Sequence, residues 1–255
     1  MKLLGIDVGG SGIKSGIVDT KKGKLVSERY RIPTPQPSKP EKVAKVVKEI
    51  VAHFNWKKEV GCAVPVVVNR KGISKTRGNI HKNWKGCDIT TLLSKTCKLP
   101  FKLLNDADAA GTTEMTFGAG KGKKGLVMTI TIGTGLGSGV FYDGILIPNF
   151  ELGRIFHTNG KPIEFYAASS AKDRENLSMK KWSKRFDFFL HHIDRIASPD
   201  LFIIGGGISK KFDEFKDHLS VKVPVVVAET KNNAGIIGAA MAAEELVKQS
   251  YDVGD

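Results

Sequence analysis

The chain has 255 residues, 41% hydrophobic and 8% aromatic, and its 40 Lys and Arg against 26 Asp and Glu leave a formal charge of +14. That length allows one large domain or two medium ones, no apolar run is long enough to span a membrane, and the three cysteines and six histidines lack the spacing of a disulfide framework or a structural zinc site. The positive excess favours a polyanion as partner, whether nucleic acid, anionic membrane or phosphate polymer, but a generally basic, solvated surface is the commoner cause of such an excess, and charge alone does not choose between them.

Lys2 to Val8 is apolar and β-prone, with no charged-then-apolar leader before it, so cytoplasm is the expected compartment. The turn Gly9-Gly10-Ser11-Gly12 follows, then a second strand carrying Lys14 and ending near Asp19, and a hairpin at Lys21-Lys22-Gly23-Lys24. Glycines let a ligand approach the backbone, and successive N–H groups can hold phosphate oxygens. Asp7, just before the turn, is placed to hold Mg²⁺ through water. A Gly-rich hairpin without a ligand is the competing reading. Arg31 to Pro40, with four prolines, reads as an extended connector. A helix is expected from Glu41 to Phe54, with Val43, Val46, Val47, Ile50 and Val51 on one face. Gly61 to Val68 reads as a strand, Asn69 to Trp84 as a plain or substrate-binding loop, and Cys87 to Cys97 as a short helix.

At the centre of the chain, Phe101 to Leu104 reads as a buried strand that delivers Asn105 and Asp106 to its C-terminal end. Small residues then carry a helix to about Phe117. Asp106 or Asp108 could simply cap that helix, where unpaired N–H groups and the helix dipole stabilise a carboxylate. The functional reading gains weight from Gly-rich turns on both sides of the stretch.

Beyond the break at Gly118 to Gly125, Leu126 to Ile132 reads as a strand, Gly133 to Gly139 as a second glycine turn containing Thr134 and Gly135, and Val140 to Tyr142 as the start of a partner strand turning at Asp143-Gly144. An offset of 124 positions carries Gly9 onto Gly133 and Asp19 onto Asp143, which is an internal repeat. Duplicated halves facing each other across a cleft, each offering one phosphate turn, are the architecture this repeat implies. Ser178 to Ala197 places Trp182, Phe186, Phe189, Leu190, Ile193 and Ile196 at helical spacing, as core or as a subunit interface. Leu201 to Ile204 is a buried strand leading into Gly205-Gly206-Gly207. Val223 to Val227 is the last strand, and Ala234 to Val247 an Ala-rich terminal helix.

Together these motifs resemble the ROK (repressor, open reading frame, kinase) family of sugar kinases. The resemblance rests on Gly5-Ile6-Asp7-Val8-Gly9-Gly10-Ser11-Gly12-Ile13-Lys14, Asn105-Asp106-Ala107-Asp108-Ala109-Ala110, Thr131-Ile132-Gly133-Thr134-Gly135-Leu136-Gly137-Ser138 and Phe202-Ile203-Ile204-Gly205-Gly206-Gly207-Ile208-Ser209. Within the family, Ile32-Pro33-Thr34-Pro35-Gln36-Pro37 and Pro148-Asn149-Phe150-Glu151-Leu152-Gly153 are similar to segments of bacterial polyphosphate glucokinases. The resemblance implies an α/β, two-domain actin/hexokinase-like (ribonuclease H-like) ATPase fold. The expected division is residues 1–105 plus the helix near 235–250, then residues 106–234. It implies Asp106 as the catalytic base, and Asn79, Asn105, Asp106, Glu151, Arg154 and Glu164 as sugar contacts. Gly9, Gly10, Ser11, Gly12, Lys14, Thr134, Gly135 and Gly206 would contact phosphate, with Mg²⁺ at Asp7. The donor would be polyphosphate and/or ATP and the acceptor glucose or a related hexose. A homodimer is expected, with no structural zinc, no membrane and no specific nucleic acid.

Three departures accompany the resemblance. The family's Glu-x-Gly-His reads Glu151-Leu152-Gly153-Arg154, the Cys-rich zinc segment is absent, and the usual Pro-Gly reads Pro65-Val66. For a polyphosphate track the candidates are Lys121, Lys123, Lys124, Lys180, Lys181, Lys184, Arg185, Lys210 and Lys211, most of which would equally suit solvated faces; the +14 charge and the subgroup resemblance together favour that donor. The rival classes are an ATP-dependent hexose or N-acylhexosamine kinase, a non-catalytic sugar-binding relative, and a repressor, which the missing N-terminal helix-turn-helix disfavours.

Overall fold

The structure is a computed structural model that describes residues 1–75 and 80–252. In chain order its main elements are β1 (Lys2–Val8), β2 (Gly12–Asp19), β3 (Lys24–Leu25), β4 (Tyr30–Pro33), α1 (Pro40–His53), β5 (Val60–Val64), α2 (Ile89–Cys97), β6 (Phe101–Asn105) and α3 (Asp106–Phe117). There follow β7 (Leu126–Ile132), β8 (Leu136–Tyr142), β9 (Ile145–Ile147), α4 (Glu164–Ala167), α5 (Ser169–Arg174), α6 (Met179–Ala197), β10 (Leu201–Gly206), β11 (Val225–Val227) and α7 (Ala234–Asp252). The chain forms two compact units, Met1–Thr113 with the segment from Asn233 onward, and Glu114–Asn232. The first crossing falls inside α3, not at its start, so both units use that helix. No helix among the described residues is long and apolar enough to cross a membrane.

Unit 1 is built on a sheet ordered β3-β2-β1-β5-β6, with β4 also paired to β2. β1 runs antiparallel to β2 and parallel to β5, and β5 parallel to β6. The apolar face of α1 packs Val43, Val47 and Ile50 into a core with Leu4, Ile6, Ile13 and Trp84. On α7 the sequence Ala-Gly-Ile-Ile-Gly-Ala-Ala replaces bulk with small residues. A Cβ at Gly61 of β5 would stand 3.1 Å from Ala240 N, and one at Gly238 would stand 2.8 Å from Ala109 Cα. Glycine there is what lets α7 lie against the strands and α3, because a methyl group inserted into a packed contact forces the backbones apart.

Unit 2 has a sheet ordered β11-β10-β7-β8-β9. Trp182, Phe186, Phe189, Leu190 and Ile193 of α6 are buried with Phe202 and Phe215, so the aromatic stripe is core, whereas Ile196 at the last turn is 61% exposed. The repeat is visible in the ladders: β1–β2 pairs from Lys2↔Asp19 to Val8↔Ile13, and β7–β8 from Leu126↔Tyr142 to Ile132↔Leu136. The second turn is therefore one residue tighter than the first.

Three segments depart from their sequence-based reading. The strand expected to run to Val68 stops at Val64, because Pro65 has no N–H for the ladder. Part of the proline-rich connector is strand β4, which tolerates Pro33 at its end. β8 begins at Leu136 rather than Val140, so Gly137 and Gly139 belong to the strand and the turn is only Gly133 to Gly135.

Candidate active site

In unit 1 the three parallel strands stop at a common edge, with Asp7 opposite Ala63 and Val64 opposite Asn105. The carboxyl edge of parallel strands is where side chains escape the sheet and can meet a ligand. At the β6–α3 junction Asn105, only 5% exposed, does the capping. Its Oδ1 accepts from Ala107 N at 2.9 Å and from Asp108 N at 3.3 Å. The expected cap role for Asp106 or Asp108 thus passes to Asn105. Asp106 occupies the first helical position, half-buried, with Oδ1 accepting the N–H of Ala107 at 2.9 Å.

The first glycine turn closes on itself through Gly9 N donating to Gly12 O at 3.1 Å. Thr34 Oγ1 donates to Gly9 O at 2.5 Å, and the Arg31 guanidinium to Ser11 O at 2.9 Å. Asp7 and Lys14 face each other across the ladder, Nζ to Oδ2 at 3.3 Å. A Cβ at Gly235, near the N-terminus of α7, would stand 2.8 Å from Asp7 Cγ and 2.9 Å from its Oδ2. Glycine at 235 lets the start of α7 pack closely against the Asp7 carboxylate. A single carboxylate suits a hydrated Mg²⁺, which keeps most of its waters and takes few protein ligands. Among the described residues no group of three or more His, Cys, Asp or Glu gathers as a metal site.

In unit 2 the second turn closes through Gly133 N donating to Gly135 O at 3.0 Å. Ser169 Oγ donates to Gly133 O at 2.6 Å, and Ser170 Oγ to Thr134 O at 2.5 Å. Gly206 pairs with Ile132, the residue before this turn, and holds φ +85°; a Cβ there would lie 2.7 Å from the Ile132 carbonyl carbon. Ser138 of β8 donates to Phe150 O at 2.5 Å and accepts from Leu152 N at 3.0 Å, which fixes the segment bearing Glu151. Arg154 Nε meets Glu151 Oε2 at 2.8 Å. Glu164 lies near both, and also takes the backbone N–H of Leu136. Burial holds its carboxyl above the ordinary 4.5, partly offset by that N–H and by Arg154.

The raised value fixes the sign of a stability effect. As pH rises past 4.5 the unfolded chain releases the Glu164 proton before the folded chain does, so folded stability declines through that window. Glu164→Gln has no such proton, and its melting temperature relative to the parent is expected to rise with pH between 4.5 and the shifted value, as thermal unfolding across a pH series would record.

The structure thus brings together Asp7 with Lys14, Asn105 with Asp106, and Glu151 with Arg154 and Glu164. Asn79 lies outside the described residues. Sequence reading assigned no role to Arg31, Thr34, Ser138, Ser169, Ser170 and Gly235, whose side chains or lack of one shape the turns; the sequence cues were the Ile32 to Pro37 segment, which holds Thr34, and the Thr131 to Ser138 motif, which ends on Ser138. Cysteine chemistry is remote, since burial pushes the Cys97 thiol up to about 11 and the Cys62 thiol higher still.

The ROK family model matches residues 3–158. A polyphosphate glucokinase of Mycobacterium tuberculosis is 46% identical over 239 residues, 93% of this chain and 89% of its own length. The polyphosphate glucokinase of Mycobacterium leprae is 44% identical, with 93% of this chain and 73% of that one covered. The crystal structure of the inorganic polyphosphate/ATP-glucomannokinase of Arthrobacter sp. strain KM superimposes with a TM-score of 0.90 at 43% identity, covering 97% of this chain and 99% of that one. A ROK glucokinase of Streptomyces griseus, crystallised with glucose and AMPPNP, shares the fold at a TM-score of 0.83 and 23% identity over 96% of this chain and 100% of its own.

Proposed function

This chain belongs to the ROK family, with its actin-like ATPase fold, and we propose that it is a phosphotransferase moving the terminal phosphoryl group of inorganic polyphosphate to the 6-hydroxyl of glucose, with ATP as an alternative donor. The observation that carries this reading is the likeness along nearly the whole chain to enzymes of that activity. The site chemistry supports it.

Phosphoryl transfer depends on positioning and on charge neutralisation more than on covalent help. Asp106 takes the proton of the sugar hydroxyl as its oxygen forms the new O–P bond. The bridging P–O bond breaks, and its electron pair leaves on the shortened polyphosphate. Asn105, Glu151, Arg154, Glu164 and Asn79 orient the sugar. With Arg154 already held by Glu151, its remaining N–H groups offer donors only, unlike an imidazole. Gly10, Ser11, Gly12, Thr134, Gly135 and Gly206 present backbone groups to phosphate beside Gly9, whose own N–H and carbonyl are already bonded, and Lys14 adds a cation. Asp7 would hold Mg²⁺ through water, and the ion when bound would add to the neutralisation of the phosphate oxygens. Work in the cytoplasm and as a homodimer belongs to the same proposal.

The test is glucose 6-phosphate formation with polyphosphate and with ATP in parallel, with mannose as a second acceptor. No product from either donor would sink the reading, and product from ATP alone would shift it to an ordinary hexokinase. The same assay tests the basic loop after α3, where Lys121, Lys123 and Lys124 are exposed. Replacing all three with Ala is expected to raise the KM for long-chain polyphosphate by about tenfold and that for ATP by about twofold, because a long anion engages more of the positive track.

A further inference from the structure

Nothing in a glycine turn by itself makes it an anion site, because its carbonyl oxygens are as available as its N–H groups and repel phosphate. In both turns here the oxygens, apart from that of Gly10, are occupied. Gly9 O accepts the Thr34 hydroxyl at 2.5 Å, Ser11 O accepts Arg31 at 2.9 Å, and Gly12 O accepts Gly9 N at 3.1 Å. In unit 2, Gly133 O accepts both the hydroxyl and the N–H of Ser169, at 2.6 and 3.1 Å. Thr134 O accepts the Ser170 hydroxyl at 2.5 Å, and Gly135 O accepts Gly133 N at 3.0 Å. The N–H groups of Gly10, Ser11, Thr134 and Gly135, by contrast, make no hydrogen bond among the described residues. Gly10, Ser11 and Thr134 are exposed.

The offset that carries Gly9 onto Gly133 therefore matches two carbonyls, each held by a hydroxyl from outside its own hairpin. The hydroxyls come from unrelated places: Thr34 follows the edge strand β4, whereas Ser169 opens α5. The turns also differ in length by one residue. The two halves of the molecule reach the same electrostatic polarity, oxygens tied back and N–H groups free, by different supports. A row of free N–H groups with its carbonyls engaged is the arrangement that binds oxyanions.

We propose that Thr34 and Arg31 in unit 1, and Ser169 and Ser170 in unit 2, are positioning residues for the phosphoryl donor. They act through the peptide groups of the turns by holding the carbonyls so that the N–H groups meet the phosphate chain. The inference rests on the phosphotransferase reading for the identity of the anion.

The test uses the full chain and two readouts: the Kd for inorganic tripolyphosphate by calorimetry, and steady-state KM values for polyphosphate and glucose. Thr34→Val keeps shape and removes the hydroxyl, Thr34→Ser restores it, and Ser169→Ala with Ser170→Ala does the same job in unit 2. Loss of one such bond is expected to raise the tripolyphosphate Kd and the polyphosphate KM about 5–10-fold, with the glucose KM changed by less than about twofold and with recovery in Thr34→Ser. An unchanged tripolyphosphate Kd in both Thr34→Val and the double serine variant, or a glucose KM that rises as far as the donor's, overturns the proposal. If Thr34→Val does not fold, the serine pair decides alone. A parent protein that binds tripolyphosphate but makes no glucose 6-phosphate defeats the phosphotransferase reading and leaves this inference to the Kd comparison. Turnover with unaltered Kd values in the variants defeats only the inference.

Discussion

Asp106→Asn is expected to lower kcat about 10²–10⁴-fold while changing glucose affinity by no more than about threefold, since a placed general base contributes to the proton transfer and little to ground-state binding. The start of α3 tolerates this substitution. Asn105, not Asp106, caps α3, so the helix start survives. The bond from Ala107 N to Oδ1 of residue 106 also survives, because an amide oxygen accepts as a carboxylate oxygen does. What disappears is the capacity to take a proton. The measurements are kcat at saturating donor and sugar, a glucose titration followed by intrinsic fluorescence, and the melting temperature. A variant with more than about a tenth of the parent kcat would remove Asp106 as the base. A collapse of glucose binding together with kcat would instead make it a sugar ligand.

How much of this was legible beforehand varies with the range of the interaction. The paired strands around each glycine turn follow from local alternation and turn chemistry, and the 124-residue offset located both turns, although β8 starts at Leu136 and its ladder runs one residue out of step with that offset. The aromatic stripe of α6 was visible from its period alone. The capping of α3 was not, because Asn, Asp and Asp at 105, 106 and 108 all suit a helix start and only the junction geometry selects Asn105. The supports of the turns were hidden for a different reason. Thr34 meets Gly9 from 25 positions away and Ser169 meets Gly133 from 36, and neither contact has a period or a motif of its own. Gly235 is likewise an ordinary small residue in an Ala-rich helix until the Asp7 carboxylate is seen beside it. Long-range polar contacts of this kind are decided by tertiary structure, which a single sequence encodes without displaying.

Glu114 is the extreme case, and its replacement is expected to cost more stability than any other single polar change considered. In the sequence it is one more acid on α3. In the structure it is 3% exposed and ties two loops of unit 2 together. Its Oε2 accepts from Ala119 N at 3.1 Å and from Glu229 N at 3.1 Å, and its Oε1 accepts from Thr230 N at 2.7 Å and from the Thr230 hydroxyl. Gly118 makes room for the carboxylate, since a Cβ there would come within 2.9 Å of Glu114 Cδ. Glu114→Gln keeps the volume but turns one of the two acceptor oxygens into a donor, which faces either the N–H groups of Ala119 and Glu229 or the N–H and hydroxyl of Thr230. Two hydrogen bonds to a charged group are lost, at about 1.5–3 kcal/mol each, so a loss of about 3 kcal/mol or more is expected. For a chain of this size that corresponds to a fall of about 6–12 °C in Tm. The loss has a local signature: amide hydrogen exchange at Ala119, Glu229 and Thr230 should accelerate together, because one side chain protects all three. The loop it releases carries Lys121, Lys123 and Lys124, so the polyphosphate KM should rise with the exchange rates. A Tm within about 2 °C of the parent, or exchange that accelerates throughout unit 2 and not first at these amides, would show that the carboxylate is not the fastening it resembles.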